Sequence, residues 1–250
     1  MIYGISSYHR PQCKTFFALK ELGANEEDII ICVNDEDDFT EYKKTFKNVI
    51  YVKGDCVAQN RNNLLRIAKG NIVLLDDDIR YFNKLVAAKT KSGVSWRKIE
   101  SIIELEKMIE ECFTEMKRIG ANVFGTYSIG NADWAKATIL KDGVFSINKL
   151  FQGGFCGFTG LEKYDENFKV LDDYELILRL ISQGKFSIRR NDLIAEKNGM
   201  GKDEGGYFNL YKQGIQQLYG RRLCAKYPKL VTANENYTRF RLKSKHVIGY

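Results

Sequence analysis

Gly70-Asn71-Ile72-Val73-Leu74-Leu75-Asp76-Asp77-Asp78 is the stretch on which the reading of this chain turns. Ile72 to Leu75 is a short, uninterrupted apolar run bounded in front by Gly70-Asn71, the pattern of a buried strand. Three carboxylates follow at its carboxyl end, where open α/β sheets bind their ligands. Adjacent acids repel one another unless something cationic sits among them. A divalent metal carrying a phosphate meets that need, because Mg²⁺ and Mn²⁺ favour carboxylate and phosphate oxygens. Alone, a triple Asp reads equally well as a solvated acidic turn; its surroundings separate the two.

Upstream the chain alternates. Ile2 to Ser6 reads as a strand, Gln12 to Leu22 as a helix stopped by Gly23, and Ile29 to Val33 as a continuous buried strand. Phe39 to Thr45 reads as a short helix, Val49 to Val52 as a third strand, and Asn60 to Ala68 as a helix stopped by Gly70. Strand–helix alternation with fully apolar strands predicts an α/β fold, a mostly parallel, Rossmann-like sheet with helices on both faces. Downstream, Trp96 to Ile119 is the longest helical pattern, ending at Gly120. Val123 to Ile129 and Val144 to Ile147 read as strands, Leu176 to Ile181 as an amphipathic helix, and Phe186 to Arg190 as a final strand. The Gly-rich, aromatic run Gly153 to Phe158 suits a loop or strand approached closely by a ligand.

Charge divides the chain. Residues 207–250 hold nine Lys or Arg against one acid, Glu235, a net +8 that leaves −1 on residues 1–206 of the chain's +7. The same segment carries eight Tyr or Phe, and basic residues interleaved with aromatics are the composition of a nucleic-acid surface. Its plainer reading is a basic face with aromatics packed on the domain. We therefore expect one domain over 1–206 and a basic, aromatic-rich C-terminal extension over 207–250, packed on or beside it. No apolar run approaches the roughly 18 residues of a membrane span, and MIYGISSYHRPQ has no signal-peptide pattern. Six scattered cysteines without a CxxC pair fit reduced thiols in a cytoplasmic protein, and two histidines make a Cys/His zinc site a poor fit.

The segment from Gly54 to Asp78 contains Arg61-Asn62 opening a helix, Ala68-Lys69-Gly70 closing it, and an apolar strand running into Asp76-Asp77-Asp78. In that order the elements resemble glycosyltransferases of the GT-A fold. A second block matches about a hundred residues later: Tyr164-Asp165-Glu166-Asn167-Phe168, then Leu171-Asp172-Asp173-Tyr174-Glu175, Arg179 and Gly184. In that family an acidic pair opens a helix and its second member is commonly the catalytic base, which falls here on Asp173, with Asp172 beside it. Asp172 and Glu175 also spell a capping box, which needs no catalysis.

The resemblance implies a nucleotide-sugar donor, a UDP-sugar, and Mn²⁺ or Mg²⁺ held by Asp76 and Asp78. Ser6, Tyr8 and Arg10, after the first strand, would face the nucleotide, with Tyr8 on the base and Arg10 on a phosphate. Asp35 stands where such enzymes place an acid near base or ribose, and Asp77 and Arg61 complete the donor set. The late His that often adds a metal ligand is missing from Ala195-Glu196-Lys197-Asn198-Gly199, so Asn198 or Glu196 would substitute.

The finer pattern is similar to phage glycosyltransferases associated with base-modifying dioxygenases, over most of residues 1–206. It implies a hydroxymethyl-pyrimidine of DNA as acceptor, in the host cytoplasm, inversion at the sugar, and Arg221, Arg222, Lys226, Arg239 and Arg241 on the DNA. No membrane span and no obligate protein partner are expected. The alternatives are the same chemistry on a polysaccharide, glycolipid or protein, a nucleotidyltransferase, and a non-catalytic nucleic-acid-binding module.

Overall fold

The computed structural model describes residues 1–68, 70–128, 130–160, 162–197 and 213–243. Strands β1 (Tyr3–Ser6), β2 (Ile29–Val33), β3 (Val49–Tyr51) and β4 (Ile72–Asp76) lie parallel in the order β3-β2-β1-β4. Helices α1 (Lys14–Glu21), α2 (Glu36–Tyr42) and α3 (Val57–Ala68) connect them. Successive side chains of β4 are buried on opposite faces of the sheet. Val73 and Leu75 join a core with Phe16 and Leu19 of α1, and Ile72 and Leu74 join a second core with Leu64 and Leu65 of α3. Helices thus cover both faces of the sheet. Gly4 of β1 is a glycine for want of room: a Cβ there would lie 3.0 Å from Ile72 and Leu74 side chains and 3.2 Å from Leu64.

The second half departs from the parallel expectation. Four further strands complete an eight-stranded sheet, β7 (Ala121–Thr126), β8 (Phe145–Ile147), β9 (Phe155–Phe158) and β10 (Phe186–Arg190), in the order β4-β9-β7-β10-β8. Strand β9 runs against both β4 and β7, and β8 runs against β10, so three of the seven pairings are antiparallel and the sheet is mixed. An apolar run buried on both faces looks the same whichever way it runs. Phe155–Phe158 is fully buried, and its direction could not be read from periodicity.

A three-stranded antiparallel sheet flanks the first, β11 (Leu193–Lys197), β5 (Ile79–Ala87) and β6 (Val94–Lys98). Phe186–Arg190 is therefore not the final strand. Trp96 is not helical: it sits in β6 opposite Leu85 of β5. The helix begins at Ile102 and runs as α4 (Ile102–Ile119), because the Ser101 side chain accepts the Glu104 N–H at 3.2 Å and fixes the start. Gly120, at φ 73°, ends it. Helix α5 (Ala132–Asp142) gave no signal in the sequence, since only Ala135 of it is buried. Helix α6 (Asp172–Ser182) packs Leu176, Ile177 and Leu180 under the sheet.

The described part of the C-terminal segment is helix α7 (Ile215–Lys226) and a hairpin of β12 (Val231–Ala233) and β13 (Phe240–Leu242). Leu223, Tyr227, Leu230 and Val231 share a core with Phe168 and with Leu178 of α6. Fully buried Glu175 ties the two together. It accepts from the Tyr227 hydroxyl at 2.7 Å, from Lys226 at 2.8 Å and from Arg179 at 3.3 Å.

Candidate active site

Register places the site. Ser6 of β1 lies beside Asp76 of β4 and Cys32 of β2, so the residues after these strands meet at one edge of the sheet. Strand β5 leaves that edge almost at once, which makes Asp77 and Asp78 a turn between the two sheets. Thr15 pins the turn: its hydroxyl donates to the Asp76 carbonyl at 2.5 Å and accepts the Ile79 N–H at 2.9 Å. Above it opens a cavity of about 520 Å³, of a size that takes a small-molecule ligand.

Arg61 of α3 organises one wall. One guanidinium nitrogen donates to Asp76 at 2.7 Å and another to Asp172 at 2.7 Å, with the group stacked 5.1 Å over the Tyr164 ring. Leu171, at φ 61°, is a bulky residue in the left-handed region, and it turns the chain into α6. No side chain caps that helix. The capping-box reading is therefore overturned, since Asp172 is spent on Arg61 and Glu175 on the C-terminal segment. Asp173 accepts the Gly153 N–H at 2.7 Å and the Tyr174 N–H at 2.8 Å. Among the described residues it forms no ion pair.

Asp77 turns back to the β1 loop. It accepts from the Ser7 hydroxyl at 2.6 Å, the Tyr8 N–H at 3.4 Å and Arg10 at 2.7 Å. Asp78 faces Arg10 at 3.5 Å and Lys197 at 3.7 Å. Lys197, at the end of β11, donates to the second oxygen of Asp76. Its ammonium therefore lies between Asp76 and Asp78. Gly154 makes the space: a Cβ there would collide with Lys197 Nζ and lie 2.7 Å from Asp76 Oδ2. Gly153 does the same for its neighbours, since its Cβ would come 2.9 Å from Arg61 Nη1 and from Asp173 Cβ. The glycine pair is approached closely, and by this chain's own side chains.

Burial and charge compete at each carboxyl. At Asp76 burial favours the neutral acid, but Lys197 and Arg61 outweigh it and hold the carboxyl below the usual range. Burial pushes Asp77 up to about 6 against Arg10 and Ser7, and Asp172 up to about 6 against Arg61. Burial also raises Asp78 and Asp173. Burial works to lower the Lys197 pKa, yet Asp76 and Asp78 prevail and keep it above an ordinary lysine, so it stays charged.

Among the described residues, three buried polar atoms of cavity-lining side chains have no hydrogen-bond partner: Ser6 Oγ, Asn34 Oδ1 and Asp78 Oδ1. Unpartnered buried polar atoms are rare and call for a ligand. The Asp76–Asp78 pair fits the expected divalent cation on that ground, with Asp78 Oδ1 unsatisfied and a cationic group already resting between the two acids. Asn198, the expected further ligand, lies outside the described residues. Among the described residues the one tight cluster of metal-ligating types is His9, Asp35 and Asp38, and its members are already engaged. The His9 ring bonds Asp38 at 3.1 Å, and Asp35 caps α2 by accepting the Asp38 N–H at 3.1 Å.

Ser6, Tyr8, Arg10, Arg61, Asp76, Asp77, Asp78, Asp172 and Asp173 all line the cavity. Asp35 does not, being occupied as a helix cap, and Asn34 takes its place. Sequence reasoning missed Asn34, Gln152 and Lys197, although Lys197 stands next to Asn198. Arg221, Arg222, Lys226, Arg239 and Arg241 are not among the described residues lining the cavity, which Gln216, Thr238 and Phe240 of the same segment do line. Lys226 is committed to Asp165 and Glu175. Arg222 donates to the Asn167 carbonyl and lies over Phe168. Arg221, Arg239 and Arg241 are exposed.

No family model matches the chain, and no curated protein matches it. Among solved structures it is similar to CMP:2-keto-3-deoxy-manno-octonic acid synthetase complexed with CTP, at 8% identity and a TM-score of 0.43, over 88% of this chain and 98% of that one. A likeness at this level bears on neither substrate nor reaction, and the functional reading rests on the geometry.

Proposed function

We propose that this protein is a glycosyltransferase of the GT-A type, moving a sugar from a UDP-sugar to the hydroxyl of a hydroxymethyl-pyrimidine in DNA. The observation that carries the reading is Asp173. Among the described residues it is a carboxylate without an ion pair, its pKa raised by burial, in a cavity also lined by the Asp76–Asp78 turn and the β1 loop. Such a group is suited to take the proton of an attacking hydroxyl.

The donor diphosphate lies against the β1 loop, where Ser6, Asn34 and Arg10 line the cavity. A cation held by Asp76 and Asp78, Mn²⁺ or Mg²⁺, supplies charge neutralisation for the departing diphosphate. The acceptor oxygen bonds to the anomeric carbon as the bond to the diphosphate breaks. The sugar passes through an oxocarbenium-like state, and Asp173 receives the acceptor's proton. Arg61 holds Asp76 and Asp172 in place. In-line displacement inverts the anomeric centre.

The DNA acceptor is supported by Arg221, Arg239 and Arg241, exposed on the segment whose Gln216, Thr238 and Phe240 line the cavity. A pyrimidine 5-substituent projects into the major groove and reaches a pocket directly or after extrusion of the base. The test is nucleoside mass spectrometry. The protein is incubated with DNA containing 5-hydroxymethylcytosine or 5-hydroxymethyluracil, Mn²⁺ or Mg²⁺, and a panel of UDP-sugars. A pentose- or hexose-sized mass gain on the modified base, with UDP released, is expected. UDP release without a mass gain moves the acceptor to a carbohydrate or protein. Release of pyrophosphate instead makes the protein a nucleotidyltransferase.

A further inference from the structure

Lys197 poses a problem that the proposed reaction does not solve. Its ammonium rests between Asp76 and Asp78, where the divalent cation belongs. Gly154 leaves room for the ammonium, since a Cβ there would meet Lys197 Nζ and the lysine would have to shift. The contact is also lopsided. Asp76 receives a hydrogen bond, while Asp78 Oδ1 is buried, 3.7 Å from the ammonium and, among the described residues, without a hydrogen bond. One lysine therefore occupies the position without satisfying it.

The charge around it is unfinished. Among the described residues lining the cavity, six carboxylates (Asp76, Asp77, Asp78, Asp172, Asp173 and Glu196) face four cations (Arg10, Arg61, Lys169 and Lys197), a deficit of two positive charges. A diphosphate arriving at such a site is repelled, and one divalent cation makes up the deficit. That cation cannot bind while the ammonium keeps its place. The ammonium in turn gains nothing by leaving unless another anion receives it. A diphosphate is that anion. Lys197 is placed to move: it ends β11 at a register shift after Glu196, with its side chain 23% exposed.

We infer that Lys197 is a tethered occupant of the divalent-cation position, which yields to the metal only when a nucleoside diphosphate arrives to accept its ammonium. Metal and nucleotide therefore bind together and neither binds well alone. Lys197 is then a positioning residue for the metal and a phosphate ligand in the loaded protein. This inference rests on the proposed nucleotide-sugar reading, and its test separates the two.

Mn²⁺ binding is followed by electron paramagnetic resonance, and binding of UDP, CDP, GDP and ADP by calorimetry, each with the other component present or chelated. The wild-type protein is expected to bind Mn²⁺ weakly alone and at least about tenfold more tightly with its preferred nucleoside diphosphate. Lys197→Met is expected to bind Mn²⁺ without nucleotide, at least about tenfold more tightly than wild type, and to lose the coupling. Lys197→Arg retains the positive charge and should keep free Mn²⁺ out. Two results overturn the inference while leaving the proposed function standing. One is equal Mn²⁺ affinity in wild type and Lys197→Met without nucleotide. The other is wild-type nucleotide affinity unchanged by chelation, which would make Lys197 the permanent counter-ion. Failure of all four nucleotides to bind under any condition overturns the exchange together with the nucleotide-sugar reading.

Discussion

Asp173 and Asp77 differ only in their neighbours, and that difference assigns their work. Asp173 accepts two backbone N–H groups and, among the described residues, forms no ion pair. Asn in its place keeps an acceptor for Gly153 but cannot take a proton. Asp173→Asn should lower turnover by roughly 10²- to 10⁴-fold, with UDP affinity changed by less than about threefold. The base must be ionised, so wild-type turnover falls as pH drops through its raised pKa, and the part of that acid limb owed to Asp173 should vanish in the variant. Equal losses in turnover and affinity would make Asp173 a structural residue. Asp77 tests the electrostatics of the turn through stability. Its folded pKa of about 6 lies above its ordinary 3.8. Between those values the folded protein holds a proton that the unfolded chain has released. The contribution of Asp77 is therefore complete below the lower value and declines as pH rises to the upper one. Urea unfolding should show wild-type stability falling relative to that of Asp77→Asn by on the order of 3 kcal/mol from about pH 4 to about pH 7. A difference that stays flat across that range would show that burial does not strain this carboxyl.

At the scale of elements, β9 holds the two halves of the large sheet together, and it does so by being thin. Gly157 pairs with Phe124 of β7, and a Cβ on Gly157 would collide with the Phe124 ring. That ring is fully buried, edge-on to Phe113 at 5.3 Å, so it has nowhere to go. Gly157→Ala should cost about 1–3 kcal/mol, read as a lowered Tm. An unchanged Tm would mean that the slot between β4 and β7 is looser than its contacts indicate. The same elements show what a sequence can and cannot disclose. Strand β4 and helices α3 and α6 were legible because each carries a dense apolar stripe beside its polar motif. Strand β6 was not, because its residues Val94 to Arg97 are only half-buried and Ile99 continues the helical spacing backwards past the Ser101 cap. The site divides likewise. Arg61, Asp76, Asp172 and Asp173 stand on the legible elements, whereas Lys197 meets Asp76 across 121 residues of chain. Such a pairing is made by the flanking sheet, which brings β11 against β5, and no local pattern announces it.

Over the whole molecule the chain's +7 comes from its last 44 residues, and the fold spends part of that charge on itself. Lys226 neutralises Glu175 and Asp165, and Arg222 covers Phe168, so both hold the C-terminal segment against α6. Arg221, Arg239 and Arg241 stay exposed on the segment that supplies Gln216, Thr238 and Phe240 to the cavity wall. Deleting the segment would remove core and cavity wall together and could not isolate a binding surface. Substituting the three exposed arginines can. Each phosphate contact contributes about 0.9 to the slope of log affinity against log salt concentration. If all three meet DNA, Arg221→Ala, Arg239→Ala and Arg241→Ala combined should flatten that slope by about 2–3 and leave UDP binding unchanged. Lys226→Ala should flatten it by less than about 1, while lowering Tm through the loss of its pairing with buried Glu175. A triple variant with the wild-type slope would place the DNA contacts elsewhere or remove DNA as the acceptor. Sugar transfer by that same variant to hydroxymethylated DNA, compared with transfer to free oligosaccharides, decides between those two.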